Sequence, residues 1–156
     1  MRNNIFRLSI ALFLGFALSN INSHQKQPTT KYNDMNSYLS IFEIPANNFS
    51  RAVNFYEKLM EFSIETIDMQ GTTMGLFPAE NQAVFGAVVK GEGYEPAANG
   101  VTIYLNAGEN LQHMLDRAVA NGAEVVVPKT MIDEENGYFA MFLDTEGNRI
   151  GLHSPQ

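Results

Sequence analysis

The sequence predicts an α+β fold in which one unit of strand, helix and further strands is written twice. Three observations carry that reading. Ser40-Ile41-Phe42-Glu43-Ile44, then Asn48-Phe49-Ser50-Arg51-Ala52-Val53, is answered 62 residues on by Thr102-Ile103-Tyr104-Leu105-Asn106, then Asn110-Leu111-Gln112-His113-Met114-Leu115. Met74-Gly75-Leu76-Phe77-Pro78-Ala79-Glu80 is answered 66 residues on by Ala140-Met141-Phe142-Leu143-Asp144-Thr145-Glu146, which places a small insertion in the second copy. In each copy the apolar period changes from that of a strand to that of a helix and back. Self-similarity over such a span constrains a fold more than any single motif. Two open half-sheets bury little alone and must close on each other.

In the first copy, Tyr38 to Ala46 alternates as a strand, and Pro45 suits its end because proline cannot donate to a ladder. Asn47 or Asn48 then caps a helix whose stripe is Phe49, Ala52, Val53, Tyr56, Leu59 and Met60. Residues 62–69, 72–77 and 83–90 follow as strands, punctuated by Gly71 and Glu80-Asn81. Gly91-Glu92-Gly93 with Pro96 separates the copies. The second copy runs as strand 101–106, helix 110–121 with stripe Leu111, Met114, Leu115 and Ala118, and strands 124–127, 138–143 and 148–153. Asn121-Gly122 ends its helix as a left-handed cap would. Asp133 to Gly137 reads as a charged loop, and Asp144 to Gly147 as a tight turn.

The first 36 residues stand outside the repeat. Arg2 and Arg7 precede the apolar run Leu8–Leu18, the layout of a secretory signal, with cleavage expected by Ser23. Residues 24–36 read as a polar linker, followed by the domain at 37–156, with module one at 37–93 and module two at 98–156. The apolar run is short for a bilayer span of about 20 residues. Export to the periplasm or medium follows if the leader is real, and a cytoplasmic location if translation starts at Met35.

The chain has 156 residues and no cysteine, which excludes disulfides, thiolate metal sites and cysteine nucleophiles. From Met35 onward 6 Lys and Arg face 16 Asp and Glu, a net charge of -10. That balance disfavours nucleic acid and, once the leader is removed, anionic membranes, and it favours neutral or cationic small partners. Serine nucleophile elbows and phosphate-binding glycine loops are missing, and Gly91-Glu92-Gly93 has the wrong continuation for a dinucleotide loop.

Phe42-Glu43-Ile44-Pro45, Arg51-Ala52-Val53-Asn54-Phe55-Tyr56, and the closing Phe142-Leu143-Asp144-Thr145-Glu146-Gly147-Asn148-Arg149-Ile150-Gly151-Leu152 together resemble the vicinal oxygen chelate superfamily. Glyoxalase I, bleomycin-resistance proteins, fosfomycin-resistance enzymes and extradiol dioxygenases belong to it. The resemblance implies two βαβββ modules with curled mixed sheets around a shared cleft. It also implies four positions where metal-dependent members carry His, Glu or Gln, which fall here at Ile41, Gly86, Val101 and Gly151. None of these side chains can hold a metal, so no metal and no other cofactor is expected. The two glycines read either as a roomy cleft floor or as bulges that curve the sheets.

Strand alternation places Glu43 with Ile41, and Arg149 and His153 with Gly151. The expected ligand-binding set is therefore Ile41, Glu43, Gly86, Val101, Arg149, Gly151 and His153. Among these Glu43 and His153 are the candidate catalytic groups, because desolvation of a carboxyl raises its pKa towards the range of a general base. The plainer reading pairs Glu43 with Arg149 in an ion pair that ties the modules together. Phe139, Met141, Met74 and Tyr94 would supply apolar walls, and His113 would face solvent. The leading expectation is a metal-independent small-molecule binding protein. Its alternatives are a lyase or isomerase resembling glyoxalase I with a non-standard site, and a structural or interaction module. A homodimer is compatible with all three.

Overall fold

The computed structural model describes residues 37–156, which form one compact unit. The expected leader at 1–23 and linker at 24–36 lie outside the described residues. Module one comprises β1 (Ile41–Pro45), α1 (Phe49–Met60), β2 (Glu65–Met69), β3 (Thr72–Leu76) and β4 (Phe85–Lys90). Module two comprises β5 (Ile103–Asn106), α2 (Leu111–Ala120), β6 (Glu124–Asp133), β7 (Gly137–Leu143) and β8 (Arg149–Ser154). The sheets have the equivalent orders β1-β4-β3-β2 and β5-β8-β7-β6. In each, the first and last strands of the module pair parallel and the remaining pairs are antiparallel. This is the α+β fold of two βαβββ modules expected from the repeat.

Both helices start where an asparagine satisfies an orphan amide. Asn48 accepts from the Arg51 amide and Asn110 from the Gln112 amide. Glu61 closes α1 in the left-handed region at φ 59°, and Gly122, at φ 99°, follows the end of α2. Helix α1 buries Ala52, Phe55, Tyr56 and Leu59. Phe55 was not in the expected stripe. It is buried because α1 packs on two surfaces: Tyr56 meets Phe77 of its own module at 5.7 Å between ring centroids, and Phe55 meets Phe142 of the other at 6.0 Å. A helix covered on two sides buries a wider stripe than one lying on a single sheet.

One hydrophobic core joins the helix-facing sides of both sheets. Ile44 and Val88 from module one meet Leu105, Ala140, Phe142, Ile150 and Leu152 from module two, with both helices contributing. Each sheet therefore has a helix-facing side given to this core and an opposite side, which is covered on module one, where Met74, Ala87 and Val89 are wholly buried, and open on module two, where Tyr104 is exposed. Module two differs from expectation in β6, which continues through Pro128 to Asp133 rather than stopping at Val127. As an edge strand it tolerates a proline without losing a ladder bond, and its register with β7 shifts three times. The charged loop shrinks to a turn in which Asp133 Oδ1 accepts from the Glu135 and Asn136 amides. Among the described residues no helix is long and apolar enough to cross a membrane.

Candidate functional site

Strand register decides which expected residues reach the open faces. On β1, Ile44 enters the core, which sends Ile41 and Glu43, both half-buried, to the side turned away from the helices. On β8, Ile150 and Leu152 enter the core, which sends Arg149, Gly151 and His153 to the open side. Those five residues lie on the sides of their sheets turned away from the helices.

Gly86 and Val101 do not. Gly86 is the partner of Phe42, and Val88, two residues on, is in the core. Gly86 therefore faces the helices. A Cβ there would stand 2.5 Å from Phe42 Cζ and 2.7 Å from Phe77 Cδ2, so the missing side chain makes room for two core rings. Val101 precedes β5 and is 93% exposed, outside the ladder altogether. For Gly86 the cause is one residue of slip between the copies, which flips a side chain to the other face. Glu43 pairs with Ala87 as Tyr104 pairs with Gly151, so Ala87, not Gly86, is the counterpart of Gly151.

On module one, Tyr94 donates from its hydroxyl to Glu43 Oε2 at 3.1 Å. Burial pushes the Glu43 carboxyl above its ordinary range, and the Tyr94 bond offsets only part of that. On module two, Arg149 gives Nε to Thr102 Oγ1 at 2.9 Å and Nη2 to the Gly100 carbonyl at 3.1 Å. The ion pair of Glu43 with Arg149 is thus not formed, because each group has a different partner. His153 places Nε2 2.8 Å from the carbonyl of Asn136 in the β6–β7 turn. A carbonyl only accepts, so Nε2 is the donor of that bond, and in the Nε2–H tautomer Nδ1 is left as an acceptor. His113 is exposed on α2, as expected.

An open cavity of about 440 Å³ lies against module two, lined by Tyr104, Ile132, Phe139 and His153. Phe139 is one of the apolar walls expected. Tyr104 was missed, although its alternation with Leu105 and its glycine partner on β8 are both in the sequence. A Cβ on Gly151 would fall 2.6 Å from Tyr104 Cε1, so glycine is what lets the phenol ring rest on the sheet. Ile132 was missed because β6 was expected to end before it.

A divalent ion, as metal-dependent members of the superfamily that the sequence resembles use, needs several converging nitrogen or oxygen donors. Ile41 and Gly151 offer none, and β4 turns only the apolar Phe85, Ala87 and Val89 to the side of Glu43, where Ala87 and Val89 are wholly buried. Among the described residues no three His, Asp or Glu side chains gather into such a set. The residues present do not fit that metal.

Comparison with known proteins agrees with this architecture. A family model described as the Glyoxalase/Bleomycin resistance protein/Dioxygenase superfamily matches residues 38–152. None of the curated proteins compared matches the chain. Among solved structures, the chain is similar to TnmS3, an antibiotic binding protein from Streptomyces sp. CB03234. Identity there is 21%, coverage 77% of this chain and 97% of that one, and the TM-score 0.58. A glyoxalase/bleomycin resistance protein from Albidiferax ferrireducens T118 is 18% identical, with 76% and 98% coverage and a TM-score of 0.57. The fosfomycin resistance protein FosX from Listeria monocytogenes is 14% identical, with 77% and 91% coverage and a TM-score of 0.55. At these identities the structures bear on fold alone, and together with the family match they place the chain in the Glyoxalase/Bleomycin resistance protein/Dioxygenase superfamily.

Proposed function

We propose that this chain is a metal-independent small-molecule binding protein whose ligand lies against the open face of its second sheet. The observation that carries the reading is the cavity on module two, where aromatic and aliphatic walls meet one polar ring nitrogen system. Its volume falls in the range of about 300–1,000 Å³ usual for ligand clefts. One protein of the same fold, TnmS3, is an antibiotic binding protein. A homodimer that brings a second open face over the cavity is compatible with it. Native mass spectrometry of the protein purified without chelators tests the reading, and reports subunit number and leader cleavage too. An organic adduct without metal is the expected result; one divalent ion per chain would overturn metal independence.

A second reading has its own observation. A half-buried carboxyl with a raised pKa beside a phenol, as at Glu43 and Tyr94, has the chemistry of a general acid or base. In that reading the protein is a lyase or isomerase working without a metal. Turnover of an α-hydroxythioester or hemithioacetal that disappears in Glu43→Gln, with folding intact, would establish it.

A further inference from the structure

We propose that the open face of module two is a binding subsite for a planar, cationic aromatic ligand, with the Tyr104 ring as its stacking platform. The inference rests on the small-molecule reading above and narrows its ligand. Tyr104 lies on Gly151 because no side chain occupies that point of β8, and it remains 44% exposed. A surface tyrosine held flat against a sheet offers a π-face to solvent at little further cost in side-chain entropy. Phe139 stands beside it, with centroids 6.5 Å apart and planes at 64°, so one ring forms a floor and the other a wall. Ile132, 48% exposed, closes the opposite side with apolar surface. His153 is held by Asn136, and its Nε2–H tautomer presents Nδ1 as an acceptor for an N–H of the ligand.

Charge selects the cation. The turn that holds His153 contains Asp133, Glu134 and Glu135, next to the cavity residue Ile132. The basic groups of module two are engaged elsewhere. Arg149 is bonded to Thr102 and Gly100, Arg117 to Leu59 and Glu61, and Lys129 to Asn110 while lying over the Tyr138 ring. A cation over the exposed face of Tyr104 gains from the ring quadrupole as well as from the acidic rim, whereas an anion meets repulsion there.

The test titrates the purified chain with proflavine, a planar cation, and with anthraquinone-2-sulfonate, a planar anion, at about 150 mM salt to screen diffuse attraction. Proflavine should saturate at one per chain and bind at least about tenfold more tightly than the anion. Tyr104→Leu should weaken proflavine about three- to tenfold, the range of an aromatic contact, while Tyr104→Phe retains affinity within about twofold. Circular dichroism and melting of each variant establish that it is folded. Unchanged proflavine affinity in folded Tyr104→Leu, or an anion bound as tightly as the cation, overturns the inference and leaves the binding reading standing. If neither planar probe binds but non-aromatic compounds raise the melting temperature, the inference again fails alone. If no compound of any class raises it, the binding reading fails with it.

Discussion

The Tyr56 hydroxyl donates to Asp144 Oδ2 at 2.7 Å, joining the helix of module one to the last turn of module two across 88 residues of sequence. Tyr56 is wholly buried, and burial first, then the neighbouring Asp144 charge, pushes its phenol well above the ordinary range, so it stays a donor. Asp144 also accepts from the amides of Glu146 and Asn148 and from Asn148 Nδ2, which in turn reaches the Pro45 carbonyl. Tyr56→Phe keeps the ring and removes one bond to a carboxylate. It should cost about 1.5–3 kcal/mol, read as a lower midpoint in urea with an unchanged slope.

Glu146 makes the second joint between the modules. Its carboxylate accepts from the Asn47 and Asn48 amides at 3.0 and 2.7 Å and pairs with Arg51 Nε at 2.7 Å, at the N-terminus of α1. Burial would raise its pKa, but the Arg51 bond and the Asn48 amide together hold it below the ordinary range. A depressed folded pKa gives stability that is present above the unfolded value, about 4.3, and lost as pH falls through the folded one. Melting between pH 3 and 7 should therefore show wild type losing more than Glu146→Gln on acidification. At pH 7 the variant should be less stable by about 1–3 kcal/mol.

The sequence made the architecture legible because its period changes and capping asparagines recur in both copies. Asn48 and Asn110 begin their helices, and Gly122 follows the second, as read. The site was less legible, and the reason is parity. Strand faces alternate every residue, so aligning Phe42 with Tyr104, as sequence similarity suggests, inverts module one relative to module two. Only the core positions Ile44 and Leu105 set the true phase. Gly86 and Gly151 look equivalent in the chain and face opposite sides of their sheets. Nor could local pattern show that Arg149 turns to Thr102 and Gly100 rather than to Glu43, since those partners come from the connection between modules.

The two glycines should accordingly respond differently to the same substitution. Gly86→Ala drives a methyl into the Phe42 and Phe77 rings, which are packed against the core on the helix side of the sheet, and should cost about 1–3 kcal/mol of stability. Gly151→Ala meets the Tyr104 ring, whose other face is open to solvent and can swing away. Its stability cost should be smaller, and its main effect the loss of ring contact between Tyr104 and Phe139. Paired denaturation curves check the order; an equal or larger loss for Gly151→Ala would contradict the assigned faces.

Glu43 offers a test of the opposite sign to Glu146. Its folded pKa is raised, so ionisation is harder in the folded chain, and the contribution to stability is full below the unfolded value and declines as pH rises through the folded one. Glu43→Gln keeps an oxygen to accept from the Tyr94 hydroxyl and removes the charge that burial disfavours. The variant should be more stable than wild type at pH 7, by at most about 1 kcal/mol because solvent still screens the half-buried group. Below about pH 4, where the unfolded carboxyl is itself protonated, the two should converge. Chemical denaturation at pH 3.5, 5.5 and 7.5 measures the difference. A gain that grows with pH supports a carboxyl held in a desolvated setting, whereas a loss at every pH would mean that Glu43 anchors the fold through its charge.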